Sequence, residues 1–232
     1  MRYLSVAIVL VCLCACAFAD DIVTMPTANQ LKAGEVDAAV YYIKLDNPKP
    51  MPQFIQYQTL YVGLTERFEL DVHHATVDNN ETSTVLVGSV KLLSESPTTP
   101  DLVFGVRNLG GTPTIIGPPG SNLRDKSEDR SVFLSAAKTF FFNPAAPGPP
   151  LVRAHLSLGT ADWTLFGEER HKGLFGGLQF LFAPWLGAVV EQDGQDVITG
   201  ITIMPKNSGL TIKGGTYGDH SWIGLAWRKD LY

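Results

Sequence analysis

Apolar and polar residues alternate one by one along several stretches of this chain, and turn-forming residues interrupt the stretches at short intervals. In Arg67-Phe68-Glu69-Leu70-Asp71-Val72-His73, the residues Phe68, Leu70 and Val72 fall on one face of an extended strand, with Arg67, Glu69, Asp71 and His73 on the other. In Val152-Arg153-Ala154-His155-Leu156-Ser157-Leu158 the apolar positions again alternate with Arg153, His155 and Ser157. Period two is the signature of a sheet with one apolar and one polar face. No segment carries an apolar 3.6-residue period, and the 22 glycines and 15 prolines recur at short spacing, which suits strands and turns.

The pattern predicts strands over Glu35–Leu45, Gln53–Leu64, Arg67–Val77, Ser83–Ser94, Asp101–Leu109, Arg130–Phe142, Leu151–Thr160, Lys172–Phe182, Trp185–Gln192, Asp196–Met204, Gly209–Tyr217 and His220–Lys229. An even count of about twelve is what a single-chain bacterial barrel needs for both termini to reach the periplasm. Loop lengths follow the same parity. Thr65-Glu66 and Ala183-Pro184 read as tight periplasmic turns, whereas the long connections Gly110–Asp129 and Ala161–His171 both fall on the external side. Asn143–Pro150 is a longer periplasmic turn and Gln192–Asp196 a short external one. The expected fold is all-β, an antiparallel up-and-down transmembrane barrel over residues 34–232. A soluble sandwich shares the alternation and is the rival architecture. Tyr41, Tyr42, Tyr57, Tyr61, Trp163, Trp185, Trp222, Trp227 and Tyr232 lie near predicted strand ends and are expected in the interfacial girdles of such a barrel.

Both compartment and chemistry follow from the ends and the composition. Met1-Arg2-Tyr3, the apolar run Leu4 to Cys16 and the small-x-small site Ala17-Phe18-Ala19 read as an export signal over residues 1–19. The run is shorter than the roughly 20 residues of a spanning helix. A periplasmic segment is expected over residues 20–33. The three cysteines, Cys12, Cys14 and Cys16, all lie in the signal, so cleavage after Ala19 leaves neither thiolate ligand nor cysteine nucleophile. Leu13-Cys14-Ala15-Cys16 also resembles a lipoprotein box with Cys16 as the acylated residue. The net charge of −5 shows no basic patch for nucleic acid.

Around Tyr61-Val62-Gly63-Leu64-Thr65-Glu66-Arg67-Phe68-Glu69-Leu70 the chain has a hairpin pattern common in outer-membrane barrels. Pro100–Thr112, with Gly105-Val106-Arg107-Asn108-Leu109-Gly110-Gly111-Thr112, is similar to a strand and loop of the YjbH-like barrel family, and Phe133–Lys138 to the strand that follows. Gly176-Gly177-Leu178-Gln179-Phe180 and Val189–Asp196 resemble that family's "GleY…EyDG" hairpin. The matches run in the family's order from about Pro26 to the C-terminus. The resemblance implies an outer-membrane barrel associated with exopolysaccharide production or export, here without the extra domains of longer members.

Catalytic signatures are sparse. No phosphate-cradling glycine loop, His-Glu-x-x-His or Gly-x-Ser-x-Gly occurs, and no cofactor is expected. His73 and His74 are adjacent on one strand and point to opposite faces, so they cannot share a metal ion. Asn122, Asp125, Glu128 and Asp129 lack the ligand spacing of a calcium loop. His155-x-Ser157 resembles the strand pair of outer-membrane lipases and deacylases, but its register turns both residues to the polar face, alongside Arg153.

That polar face is the candidate site. Arg67, Glu69, Asp71, His73, Arg107, Arg153, His155, Glu191 and Lys213 are expected to face the lumen, because charge on the lipid face is costly. The expected function is non-enzymatic: a passive conduit or an accessory to exopolysaccharide export, with outer-membrane lipid and polysaccharide or small solutes as partners. A secreted sandwich binding a glycan or protein partner is the alternative, and a lipid-active hydrolase a lesser one.

Overall fold

The structure is a computed structural model that describes residues 27–46, 53–78, 81–110, 130–142, 150–165 and 168–231. The expected signal over 1–19, the Cys16 box, the acidic loop at 122–129, Trp163's side chain and Tyr232 lie outside what it describes.

Twelve strands follow one another in chain order: β1 (Glu35–Lys44), β2 (Phe54–Gly63), β3 (Phe68–Val77), β4 (Glu81–Leu93), β5 (Asp101–Arg107), β6 (Ser131–Phe141), β7 (Leu151–Leu165), β8 (Glu168–Ala183), β9 (Leu186–Gln192), β10 (Val197–Ile203), β11 (Leu210–Tyr217) and β12 (His220–Asp230). Each pairs antiparallel with its sequence neighbours, and β12 returns to β1 over ten residue pairs from Glu35↔Asp230 to Lys44↔Ser221. The result is a closed up-and-down barrel. Closure leaves no unpaired strand edge. A single sheet closed on itself also excludes the two-sheet sandwich. An even number of strands places the start of β1 and the end of β12 at one end, called here the terminal end; the opposite end is the far end.

Alternation along each strand divides the wall into two faces. On β1, Glu35, Asp37, Ala39, Tyr41 and Ile43 turn inward and are buried, while Val40 and Tyr42 are exposed outside. On β7, Leu151, Arg153, His155 and Ser157 turn inward, whereas Leu156 is 56% and Leu158 58% exposed. Outward positions elsewhere carry Leu60, Phe104, Leu134, Leu178, Ile201, Ile212, Ile223 and Leu225, all exposed. The outer face thus reverses that of a water-soluble barrel, which presents polar residues to its surroundings, while the inside holds both apolar and polar side chains.

Three expectations change. Tyr41, Tyr57, Tyr61 and Trp222 are not girdle residues; their parity turns them inward, where all four are buried. Phe68, Phe140, Phe182, Trp185 and Trp227 face outward near the terminal end, whereas Tyr42 and Phe54 face outward near the far end. The connection expected over Ala161–His171 is instead mostly strand, because β7 and β8 continue through Trp163↔Arg170 to Leu165↔Glu168 after a register shift between Thr160 and Trp163. His171, with φ 58°, takes up the irregularity on β8. Finally, Thr27–Ala33 enters the terminal mouth, where Ala28 and Leu31 are fully buried.

The barrel interior as candidate functional site

The interior is built in three levels from the inward residues of the strands. At the terminal end, residues 27–34 cross the mouth and are held by three distant strands. Arg153 of β7 donates its Nε to Asn29 Oδ1. Gln30 Nε2 donates to Ser89 Oγ of β4 at 2.5 Å, and the Leu31 amide to Glu69 Oε2 of β3 at 2.6 Å. The close approach depends on Gly63, where any Cβ would collide with the Lys32 carbonyl. Ala28 packs into a small apolar cluster of Val85, Val87, Val103, Phe133 and Ala137.

Arg153 is the hub of this level. Its two terminal nitrogens reach Glu95 Oε2 and Asp101 Oδ2, both at 2.6 Å, and one of them also donates to Thr139 Oγ1 at 2.8 Å. Glu95 also accepts from the Thr139 amide at 2.7 Å and lies 3.7 Å from Lys138 Nζ. One guanidinium thus pairs with two carboxylates and anchors the entering segment, using four of its five N–H donors.

The middle level mixes aromatic and polar side chains. The Tyr57 hydroxyl is 2.6 Å from His73 Nδ1, and the Tyr61 ring stands edge-on to the same imidazole at 5.4 Å. Lys213 Nζ donates to the Tyr41 hydroxyl at 3.3 Å, and Tyr41 meets Trp222 edge-on at 6.1 Å. Ser157 shares a 2.7 Å hydrogen bond with Ser135. His155 Nε2 and Glu191 Oε1 lie 3.2 Å apart with side chains wholly shielded from solvent, close but not aligned for a linear hydrogen bond. They sit on β7 and β9 and meet across β8 because Gly177 occupies the register position between them. A Cβ there would collide with the Val190 carbonyl and come within 2.5 Å of Glu191 Cγ.

The far end is closed by a second cluster. Arg170 of β8 donates to Asp193 Oδ2 at 2.7 Å and to Asp196 Oδ2 at 2.6 Å, and its guanidinium lies 5.0 Å from the centre of the Tyr217 ring. The Tyr217 hydroxyl donates to the same Asp193 oxygen at 2.5 Å. The other Asp193 oxygen caps the β9–β10 turn by accepting from the Gln195 and Asp196 amides at 2.9 and 2.8 Å. Burial alone would raise the Asp193 carboxyl, but Arg170, the Tyr217 hydroxyl and the two amides outweigh it and hold the group below its ordinary value. Next to this cluster Arg107 Nη1 lies 3.3 Å from His171 Nδ1.

Of the sequence-predicted set, Glu69, Asp71, His73, Arg107, Arg153, His155, Glu191 and Lys213 are all buried on the inner face. Arg67 is not among them. It is exposed in the turn between β2 and β3, where its amide donates to Thr65 Oγ1, because the strand starts one residue later at Phe68. The set also divides: Glu69 and Arg153 hold the terminal mouth, His73, His155, Glu191 and Lys213 lie in the middle, and Arg107 joins the far cluster. Arg170, His171, Asp193, Asp196 and Tyr217 are absent from the predicted set. Their only sequence signal is the Asp193-Gly194 turn; Arg170 and His171 sit in a stretch that reads as loop.

An open water channel would leave its lining accessible. Here Ala28 and Val103, Ile43 and Ser135, and Tyr217 and Asp193 are each 0% exposed, spanning the three levels. The described interior is filled. His155 and Ser157 are sealed within it, so no lipid can reach that pair from the outer face. Among the described residues no group of three His, Cys, Asp or Glu side chains could hold a metal ion.

No protein-family model matches the chain, and no curated protein does. Among solved structures it is similar to the COG4313 outer membrane channel from Pseudomonas putida F1, at 12% identity and a TM-score of 0.40 over 91% of this chain and 98% of that one. It is also similar to the N-terminal β-barrel domain of OprF from Pseudomonas aeruginosa, at 10% identity and a TM-score of 0.26 over 86% of this chain and 100% of that one.

Proposed function

We propose that this chain is a non-enzymatic barrel of a bacterial outer membrane, closed at rest, which holds its fold in lipid rather than passing solute through an open lumen. The observation that carries the reading is the outer wall. Exposed large apolar residues recur on outward positions around the barrel, and the charges at mid-height turn inward. A ten-residue strand tilted by about 40° spans roughly 26 Å, which matches the apolar band of about 25 Å in such proteins. The terminal-end aromatics Phe68, Phe140, Phe182, Trp185 and Trp227 suit an interfacial girdle. The likeness of Pro100–Thr112 and Val189–Asp196 to the YjbH-like family supports the same compartment and suggests service to exopolysaccharide export as the pathway. The filled interior favours an accessory or structural role over a conduit.

Membrane fractionation with carbonate washing, together with heat-dependent migration in SDS gels, tests the reading. Retention in the membrane and a heat-dependent shift are expected; release by carbonate with no shift refutes it. Leu156→Arg sharpens the test, since Leu156 is exposed near mid-height. An arginine there costs about 2–4 kcal/mol in lipid and next to nothing on a wetted surface.

A further inference from the structure

The outer wall has one region that does not suit acyl chains. On β2, β3 and β4 the outward residues nearest the far end form two cross-strand rows. The first is Gln56↔Thr76↔Thr82 and the second Gln58↔His74↔Thr84. His74 Nδ1 lies 2.8 Å from Thr84 Oγ1 and its Nε2 3.4 Å from Thr76 Oγ1. The side chains of Gln56 and Gln58 make no hydrogen bond with any described residue, although both backbones are paired in the ladder.

The first row can meet water or headgroups at the rim. The second cannot. His74 and Thr84 are each three residues from the far-end limit of their strands, which is about 10 Å along the strand and about 8 Å in height once the tilt is counted. At comparable depth β5, β6, β9 and β12 present Phe104, Leu134, Val190 and Ile223 to the outside. A carboxamide at that depth has no water to bond, and unsatisfied polar groups in hydrocarbon are costly.

We infer that this face is the contact between two copies of the chain, related by a two-fold axis along the barrel and passing near His74. The inference rests on the membrane reading above. No lysine or arginine lies among the six, which disfavours a phosphate headgroup as occupant. Carboxamide, imidazole and hydroxyl groups each both donate and accept, so the patch is complementary to itself. Three strands make it about 14 Å wide, and the exposed Tyr42 stacks on Phe54 at 5.1 Å along its border, adding apolar area to a polar centre. Axis geometry then fixes the partners: position 74 meets position 74, and the β2 side of one copy faces the β4 side of the other.

Cysteine cross-linking in intact membranes tests this, with the unsubstituted chain as control for Cys12, Cys14 and Cys16. His74→Cys is expected to give a covalent dimer. Leu158→Cys, outward on β7, is expected to give no dimer. The double variant Gln58→Leu with Thr84→Val is expected to turn a dimer into a monomer by sedimentation in mild detergent, with the heat-dependent gel shift retained. A heat-modifiable monomer without the 74–74 link overturns the inference alone, as does cross-linking of equal strength at position 158 or a glycolipid held by the monomer through Gln58. A chain that leaves the membrane and shows no heat shift overturns the membrane reading, and this inference falls with it.

Discussion

Replacing Arg153 with methionine isolates the electrostatic anchor of the terminal mouth. The change keeps much of the side chain's length and removes the guanidinium that pairs with Glu95 and Asp101 at 2.6 Å each and holds Asn29. Breaking a buried ion pair by deleting one partner costs about 3–5 kcal/mol, because the remaining charge stays buried. Glu95 is 23% and Asp101 13% exposed, so water reaches the stranded carboxylates and the lower end applies, about 3 kcal/mol. The assay is urea unfolding in lipid vesicles, read by the heat-modifiable band, alongside proteolysis of the residues that enter the mouth. Adding Glu95→Gln and Asp101→Asn to Arg153→Met removes the orphaned charges and is expected to restore about 1–2 kcal/mol, since neutral partners desolvate more cheaply. A loss below about 1 kcal/mol, the scale of a surface pair, refutes the assignment of Arg153 as anchor. So does a triple variant no more stable than the single one.

Three further outcomes follow from the interior. Asp193 is held below its ordinary value of 3.8, so its contribution to stability is complete above that pH and is lost as pH falls through the lower, folded-state value. Urea midpoints measured from pH 6 downward should drop below about pH 4, and Asp193→Asn should flatten that limb while lowering the plateau. Gly177→Ala forces a Cβ against the Val190 carbonyl and Glu191 and should cost about 1–3 kcal/mol by the same unfolding assay; a neutral result would mean that β8 shifts freely at this level. The intact chain in planar bilayers should give no step-like currents, and steps weakened by reversing the charge at Glu69 would show that the interior opens.

Much of the wall was legible from sequence because its determinants are local. Period-two alternation at Phe68–His73 and Val152–Leu158 assigns faces directly, and Gly and Pro punctuation separates the strands. Arg67 shows the limit of that reading, since one residue of uncertainty at a strand start decides whether a side chain lies in a wall or a turn. The aromatics show another. Tyr41, Tyr57, Tyr61 and Trp222 lie near strand ends as girdle residues do, and only their parity within the strand reveals that they fill the interior. The clusters that close the mouths are non-local. Arg170, Asp193 and Tyr217 come from separate hairpins, and residues 27–33 show no alternation because contacts with β3, β4 and β7 position them rather than a ladder of their own.

The seam between β1 and β12 bears on how such a molecule is made. Asp37 and Arg228, bridged at 3.0 Å, stand 191 residues apart in the chain. β12 must therefore have been made before the first strand finds its last neighbour, and every intermediate before that moment carries two raw edges. Residues 27–34 precede β1 and yet end up inside the wall that β3, β4 and β7 form. They must be in place before the seam joins, or be drawn in afterwards through the terminal mouth. In the first order the entering segment serves as a mandrel around which the hairpins wrap, and Arg153 becomes a checkpoint: a sheet that closes without Asn29 in reach leaves that guanidinium one partner short.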